Sequence, residues 1–199
     1  MTTRVLPAFL SSPTWLVEPA GWSGDGHTLT IETGPRCDWF VDPAGAAEPM
    51  LNGPAVVGAV AGDFVLGARV TVDFRAKFDA GVLMVHADDR CWAKLCFEQS
   101  PQGEPMVVSV VTRGASDDCN SLTVTAGEVW LRIARLGAAF AFHASPDGRR
   151  WSLVRHFGLP AEEVAVGFEA QSPVGEGCSA TFTDIRFESR RLGDIRSGE

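Results

Sequence analysis

Asp79-Ala-Gly-Val-Leu-Met-Val-His-Ala-Asp-Asp-Arg-Cys-Trp-Ala-Lys-Leu-Cys-Phe-Glu98 is the stretch that decides how this chain folds. Two apolar runs, Val82 to Ala87 and Cys91 to Phe97, flank the polar trio Asp88, Asp89 and Arg90. Asp side chains bond nearby backbone N–H groups in turns, so the trio reads as the loop of a central antiparallel hairpin. Successive strand residues point to opposite faces. Ala93, Leu95 and Phe97 therefore share a core face, and Trp92, Lys94, Cys96 and Glu98 share a face that carries chemistry. A three-residue loop puts His86 on the face of Trp92 and Lys94, whereas a two-residue loop turns it the other way. The three-residue version is preferred because it keeps an imidazole out of the core.

The same alternation recurs on both sides of the hairpin. Phe64, Leu66, Ala68, Val70, Val72 and Phe74 alternate with a more polar set, and Val164, Val166, Phe168 and Ala170 alternate with Ala165, Gly167, Glu169 and Gln171. Short strands are expected at 28–33, 37–41, 106–112, 129–136, 139–145, 151–157 and 178–188 as well. With the four above this makes about eleven strands and no helix, the pattern of a two-sheet sandwich. Asp42 to Gly53, broken by Pro43, Gly45, Pro49 and Gly53, is a long loop and the best candidate for a rim over a binding face. Gly114 to Ser121 reads as a polar loop. In Ser145-Pro-Asp-Gly-Arg-Arg-Trp151, Asp147-Gly148 makes a tight structural turn; it is reminiscent of the Asp-box hairpins of sialidases but is one residue short between Asp and Gly. Residues 1–188 are read as one domain and 189–199 as a flexible, solvated tail.

Composition narrows the class. The chain has 199 residues, 21 Gly, 12 Pro and a net charge of -8. Its 17 Lys and Arg are scattered, so no positive stripe for nucleic acid is expected. No apolar run of about 18 residues predicts a membrane span. The first ten residues lack a secretory apolar core, which points to a cytoplasmic protein. Five cysteines at irregular spacing, with no Cys-x-x-Cys pair, read as buried free thiols. His27, His143 and His156 lack metal-ligand spacing, so no metal and no cofactor is expected.

Glycosidic chemistry needs two carboxyls roughly 5–10 Å apart. The Glu-x-Asp-x-x-Glu strand motif that supplies them in laminarinase-like sandwiches is absent. Glu98 and Glu169 are the only pair that could converge, so they are weak catalytic candidates.

Several pieces then fall in a specific order: Asp38-Trp39-Phe40, Gly62-Asp63-Phe64, Asp79-Ala-Gly-Val-Leu-Met84, Trp92-Ala-Lys94, Glu98, Ser109-Val-Val-Thr112, Ser116-Asp117, Trp130-Leu-Arg132, Ser145-Pro-Asp-Gly148 and Ser172-Pro-Val-Gly175. Over residues 10–188 this order resembles the domain-of-unknown-function family that includes the regulation-of-enolase protein. The family has Asp-Trp-Ser where this chain has Asp117-Asp118-Cys119, and commonly an Arg in place of His86. The resemblance implies a concanavalin A-like jelly-roll sandwich of two curved antiparallel sheets, related to lectins and glucanases, whose concave face could hold a saccharide. Trp39, His86, Trp92, Lys94, Glu98, Asp117, Glu169 and Gln171 are the expected lining, because sugar sites combine a few placed polar groups with stacking surface. A protein partner in a regulatory role is the alternative, and a glycoside hydrolase the third reading.

Overall fold

The computed structural model describes residues 3–199. It is all-β, with no helix among the described residues. An eight-stranded sheet runs in spatial order β1 (Arg4–Val5), β3 (Gly21–Asp25), β4 (Leu29–Glu32), β17 (Ser179–Glu188), β8 (Phe64–Val72), β13 (Glu128–Leu136), β14 (Ala139–Ser145) and β15 (Ser152–Gly158). A seven-stranded sheet runs β12 (Ser116–Thr123), β11 (Pro105–Arg113), β10 (Cys91–Gln99), β9 (Ala80–Asp88), β16 (Val164–Gln171), β7 (Ala55–Val60) and β2 (Thr14–Val17). A small third ladder pairs β5 (Trp39–Phe40) with β6 (Met50–Leu51). All pairings are antiparallel except that of the two-residue β1 with β3.

Strand parity builds the core. Leu83 and Val85 of β9, Ala93, Leu95 and Phe97 of β10, and Val166, Phe168 and Ala170 of β16 meet Leu66, Val70, Ile133 and Phe142 of the other sheet in one cluster. Lost contact with water over this apolar surface is the main stabilising contribution. Cys91 and Cys96 fall in separate clusters on opposite faces, as five-residue spacing demands, and only Cys119 of the five free thiols is exposed.

The central hairpin forms where expected, with its turn built differently. Asp88 pairs with Cys91 across the two residues Asp89 and Arg90, and the register then shifts so that His86 faces Trp92. A bulge thus absorbs Ala87, and a two-residue turn still leaves His86 on the face of Trp92 and Lys94.

Two local expectations are corrected and one strand is added. The polar segment 114–121 contributes β12, an edge strand tied to β11 and, through Ser116, to the backbone of Val41. All but its first residue are exposed, so it needs no apolar alternation. The run Ala55–Val60, unassigned from sequence, is β7, whose first four residues are buried. It lacks a period of two because the chain's own start covers it: Leu10 packs on Gly58 and β2 pairs alongside. Residues 189–199 are not wholly solvated. Leu192 is buried with Val65 and Ala134, and the Ile195 carbonyl lies 2.7 Å from His143 Nε2.

Candidate functional site

The face of the seven-stranded sheet turned away from the core carries a buried polar constellation. Cross-strand register places Lys94, Met84 and Gly167 in one row, Cys96, Val82 and Glu169 in the next, and Glu98, Ala80 and Gln171 in a third. Lys94 and Glu98 on β10 and Glu169 and Gln171 on β16 thus flank β9 on the same side. Their backbones are about 10 Å apart across two strand spacings. Glu98 and Glu169 therefore share one face of one sheet.

Lys94 sits at the centre, 2% exposed. Its Nζ donates to Asp38 Oδ1 and to Gln171 Oε1, each at 2.6 Å. Gln171 in turn donates to Glu98 Oε2 at 3.4 Å and to the Phe78 carbonyl at 3.1 Å. Burial opposes the Lys94 charge, but the surrounding acidic groups, Asp38 foremost, together outweigh it and raise its pKa. Glu169 is fully buried, and neither carboxyl oxygen has a hydrogen-bond partner. Burial outweighs the pull of Lys94 and pushes both Glu169 and Glu98 up to about 8. Asp118 is shifted in the same direction by the same cause. At neutral pH the site therefore holds one firm ion pair beside two carboxyls, Glu98 and Glu169, that retain their protons.

A lid covers part of this face. The segment 38–53 folds back as the β5/β6 ladder, and Trp39, Phe40, Val41 and Leu51 pack on Met84, Trp92 and Val110. Trp39 Nε1 donates to the Gly53 carbonyl, and Gly53 in turn lies against Glu169, where any Cβ would strike the carboxyl. Val41 is fastened to Ser116 through both backbone and hydroxyl. The expected rim is therefore a seated cover. Glu98 is half-buried and Asp118 exposed, so solvent reaches the polar cluster from the side of β10 to β12. Two residues near this opening, Arg36 and Phe78, hold positive φ values of 52° and 70°. Side chains of this size rarely adopt that conformation. Each is pinned by a carbonyl hydrogen bond, Arg36 to Asn52 and Phe78 to Gln171.

Of the eight residues expected to line one hollow, His86, Trp92, Lys94, Glu98, Glu169 and Gln171 share this face, and Trp39 joins them from the lid. Trp39 and Trp92 are not open stacking platforms: they are 2% and 0% exposed and meet each other edge to face at 5.8 Å, because the lid needs an apolar seat. His86 packs edge to face on Trp39 at 5.5 Å, and burial lowers its pKa. Asp117 is corrected outright. It pairs with the core-facing Val111 and forms an ion pair with Arg155 at 2.7 Å, off the polar cluster. Its neighbour Asp118, opposite Val110, has the right parity. Asp38, the counter-ion of Lys94, was also missed as a site residue, since no spacing links a lid residue to a strand 56 positions away. Among the described residues no three His, Cys, Asp or Glu side chains gather as a metal-holding group.

The fold has recognisable neighbours. A functionally unknown protein from Saccharomyces cerevisiae superposes with a TM-score of 0.83 at 27% identity, covering 91% of this chain and 98% of that one. The GH43 protein BlXynB from Bacillus licheniformis matches with a TM-score of 0.67 at 17% identity over 89% of this chain but only 37% of its own. The alginate lyase from Klebsiella pneumoniae matches with a TM-score of 0.55 at 12% identity, covering 84% and 83%. The last two likenesses show the fold alone. No curated protein matches the sequence. A family model, by contrast, aligns with residues 15–190, nearly the whole sandwich and all of the polar cluster, and the chain thereby belongs to the family described as "Protein of unknown function (DUF1349)".

Proposed function

We propose that this protein is a non-catalytic saccharide-binding module whose site is the outer face of the seven-stranded sheet, entered beside Glu98 and Asp118. One observation carries the reading: Glu169 is a fully buried carboxyl with two unpartnered oxygens, placed among Lys94, Gln171 and Glu98. Buried polar atoms in folded proteins are almost always satisfied, so an orphaned carboxyl in a polar hollow calls for donors from outside. Sugar hydroxyls donate and accept at once, and suit a mixed row of protonated carboxyls, an amide and an ammonium. The fold neighbours support a carbohydrate ligand loosely, since two of them are a GH43 protein and an alginate lyase. The site is deep at Glu169 and shallow at Asp118, and longer ligands require the 38–53 cover to shift.

A glycan array followed by calorimetry on the full chain tests this. Saturable binding of an oligosaccharide, weakened about tenfold by Glu98→Gln and by Asp118→Asn, is the expected result. An array without a hit, or affinities unchanged in both variants, sinks it. Glycosidic turnover by the wild type that Glu98→Gln abolishes would instead make the pair catalytic.

A further inference from the structure

A second cluster lies on the far side of the molecule, on the outer face of the eight-stranded sheet. Arg132 of β13 is 5% exposed, yet its Nε and Nη2 have no acceptor. Its guanidinium plane lies 4.0 Å from the centre of the Trp151 ring, which covers one face and leaves the N–H edge unsatisfied. Register puts Arg186, Gly67, Arg132 and His143 in one row across β17, β8, β13 and β14. Gly67 contributes no side chain, and a cavity of about 170 Å³ opens there between Trp130, Trp151, Arg132 and Arg186. Two acids also line it, each already paired with an arginine: Glu188 holds Arg190, another lining residue, at 2.6 Å, and Asp184 holds Arg69 at 3.2 Å. Arg186 has no ion pair among the described residues.

We infer that this cavity is a binding site for a small oxyanion, a carboxylate or phosphate group, received by the free N–H edge of Arg132 with Arg186 at its rim. The argument is one of chemistry and space. A guanidinium presents paired N–H donors in a plane that matches two oxygens of a carboxylate or phosphate. Burying it without a counter-charge is unfavourable unless an anion completes it. Here the cavity is already formed beside the guanidinium, while Nε and Nη2 lie out of reach of water, so the side chain turns them toward the anion as it binds. The segment 194–199 roofs one side: Gly198, at φ 75°, crosses directly over the guanidinium, where any Cβ would overlap Nη2. Access is therefore from the Arg186 side, and the roof keeps the pair dry, which strengthens it.

The site is independent of the opposite sheet face and is tested separately. Calorimetry on the full chain would compare acetate, inorganic phosphate and glucose. The expected result is saturable binding of one or both anions and none of glucose; which anion binds distinguishes a carboxylate ligand from a phosphate one. Arg132→Met should weaken binding at least about tenfold while Asp117→Asn, on the exposed edge of the other sheet, leaves it unchanged. If Arg132→Met does not fold, Arg186→Ser, on the exposed rim, should show a loss of about threefold or more. No saturable anion binding by the wild type overturns the inference. So does full affinity in folded Arg132→Met, or in Arg186→Ser where that variant replaces it.

Discussion

Two buried cations, one on each outer face of the sandwich, have opposite fates. Lys94 is met by Asp38 and Gln171 at 2.6 Å each, and its proton is held more firmly than in water. Arg132 is buried almost as deeply with no hydrogen-bonded acid, and burial, with Arg190 nearby, lowers its pKa to about 10 against the weaker pull of Glu188. The first is a finished interaction that locks the 38–53 lid to the sheet. The second is an unfinished one, and unfinished buried charges mark sites.

The sharpest way to break the comparison is to remove the finished cation. Lys94→Met leaves Asp38 buried against the sheet without its partner and should cost about 3–5 kcal/mol in urea unfolding. A loss below about 1 kcal/mol would mean that the lid does not depend on the pair. Second in size is a pH effect. Glu169 titrates near 4.5 in the unfolded chain and near 8 when folded, so the folded state holds the extra proton in between. Its favourable contribution is complete below about pH 4.5 and is lost as pH rises through about 8. Glu169→Gln should remove its share of the wild-type decline, about 1 kcal/mol per pH unit, and leave the share of Glu98. A variant that tracks the wild type across the range contradicts the assignment.

The other face should answer to acid instead. Burial, and the Arg132 charge after it, lower His143 to about 4 from 6.5 despite the Ile195 carbonyl 2.7 Å from Nε2. The unfolded chain takes up that proton first, so stability is held above about pH 6.5 and falls as pH drops through about 4. His143→Gln should remove this acid limb, worth up to about 1 kcal/mol per pH unit, without touching the alkaline one. The smallest effect separates two adjacent acids. Asp117→Asn breaks an exposed ion pair with Arg155 and should cost at most about 0.5 kcal/mol. It should leave saccharide affinity unchanged, whereas Asp118→Asn should not; equal effects of the two on binding would refute the parity of β12.

The order of these effects tracks how far each feature could be read from the chain. The face shared by Trp92, Lys94 and Glu98 was legible, because alternation along one strand needs only the period of two. Glu169 and Gln171 were legible as a second such face, but that the two faces coincide rests on both strands flanking β9. His86 kept its expected side through a bulge that no residue in the stretch announces. Asp117 was placed wrongly by a single position, since an edge strand exposed on both sides carries no apolar pattern from which to take its parity. Asp38 and the unpaired state of Arg132 were invisible, as each depends on what another part of the chain brings, or fails to bring, to the same point.

By itself the sequence determined the class of architecture and the side chains of each strand face, for these follow from local geometry and the separation of apolar from polar residues. Only the tertiary structure decided which faces meet, that the aromatic pair Trp39 and Trp92 is sealed beneath the 38–53 segment, and which buried charges find partners. The reason is physical. A strand's alternation is imposed by its own backbone, whereas the state of a buried charge is set by groups distant in the chain and by the water that folding removes.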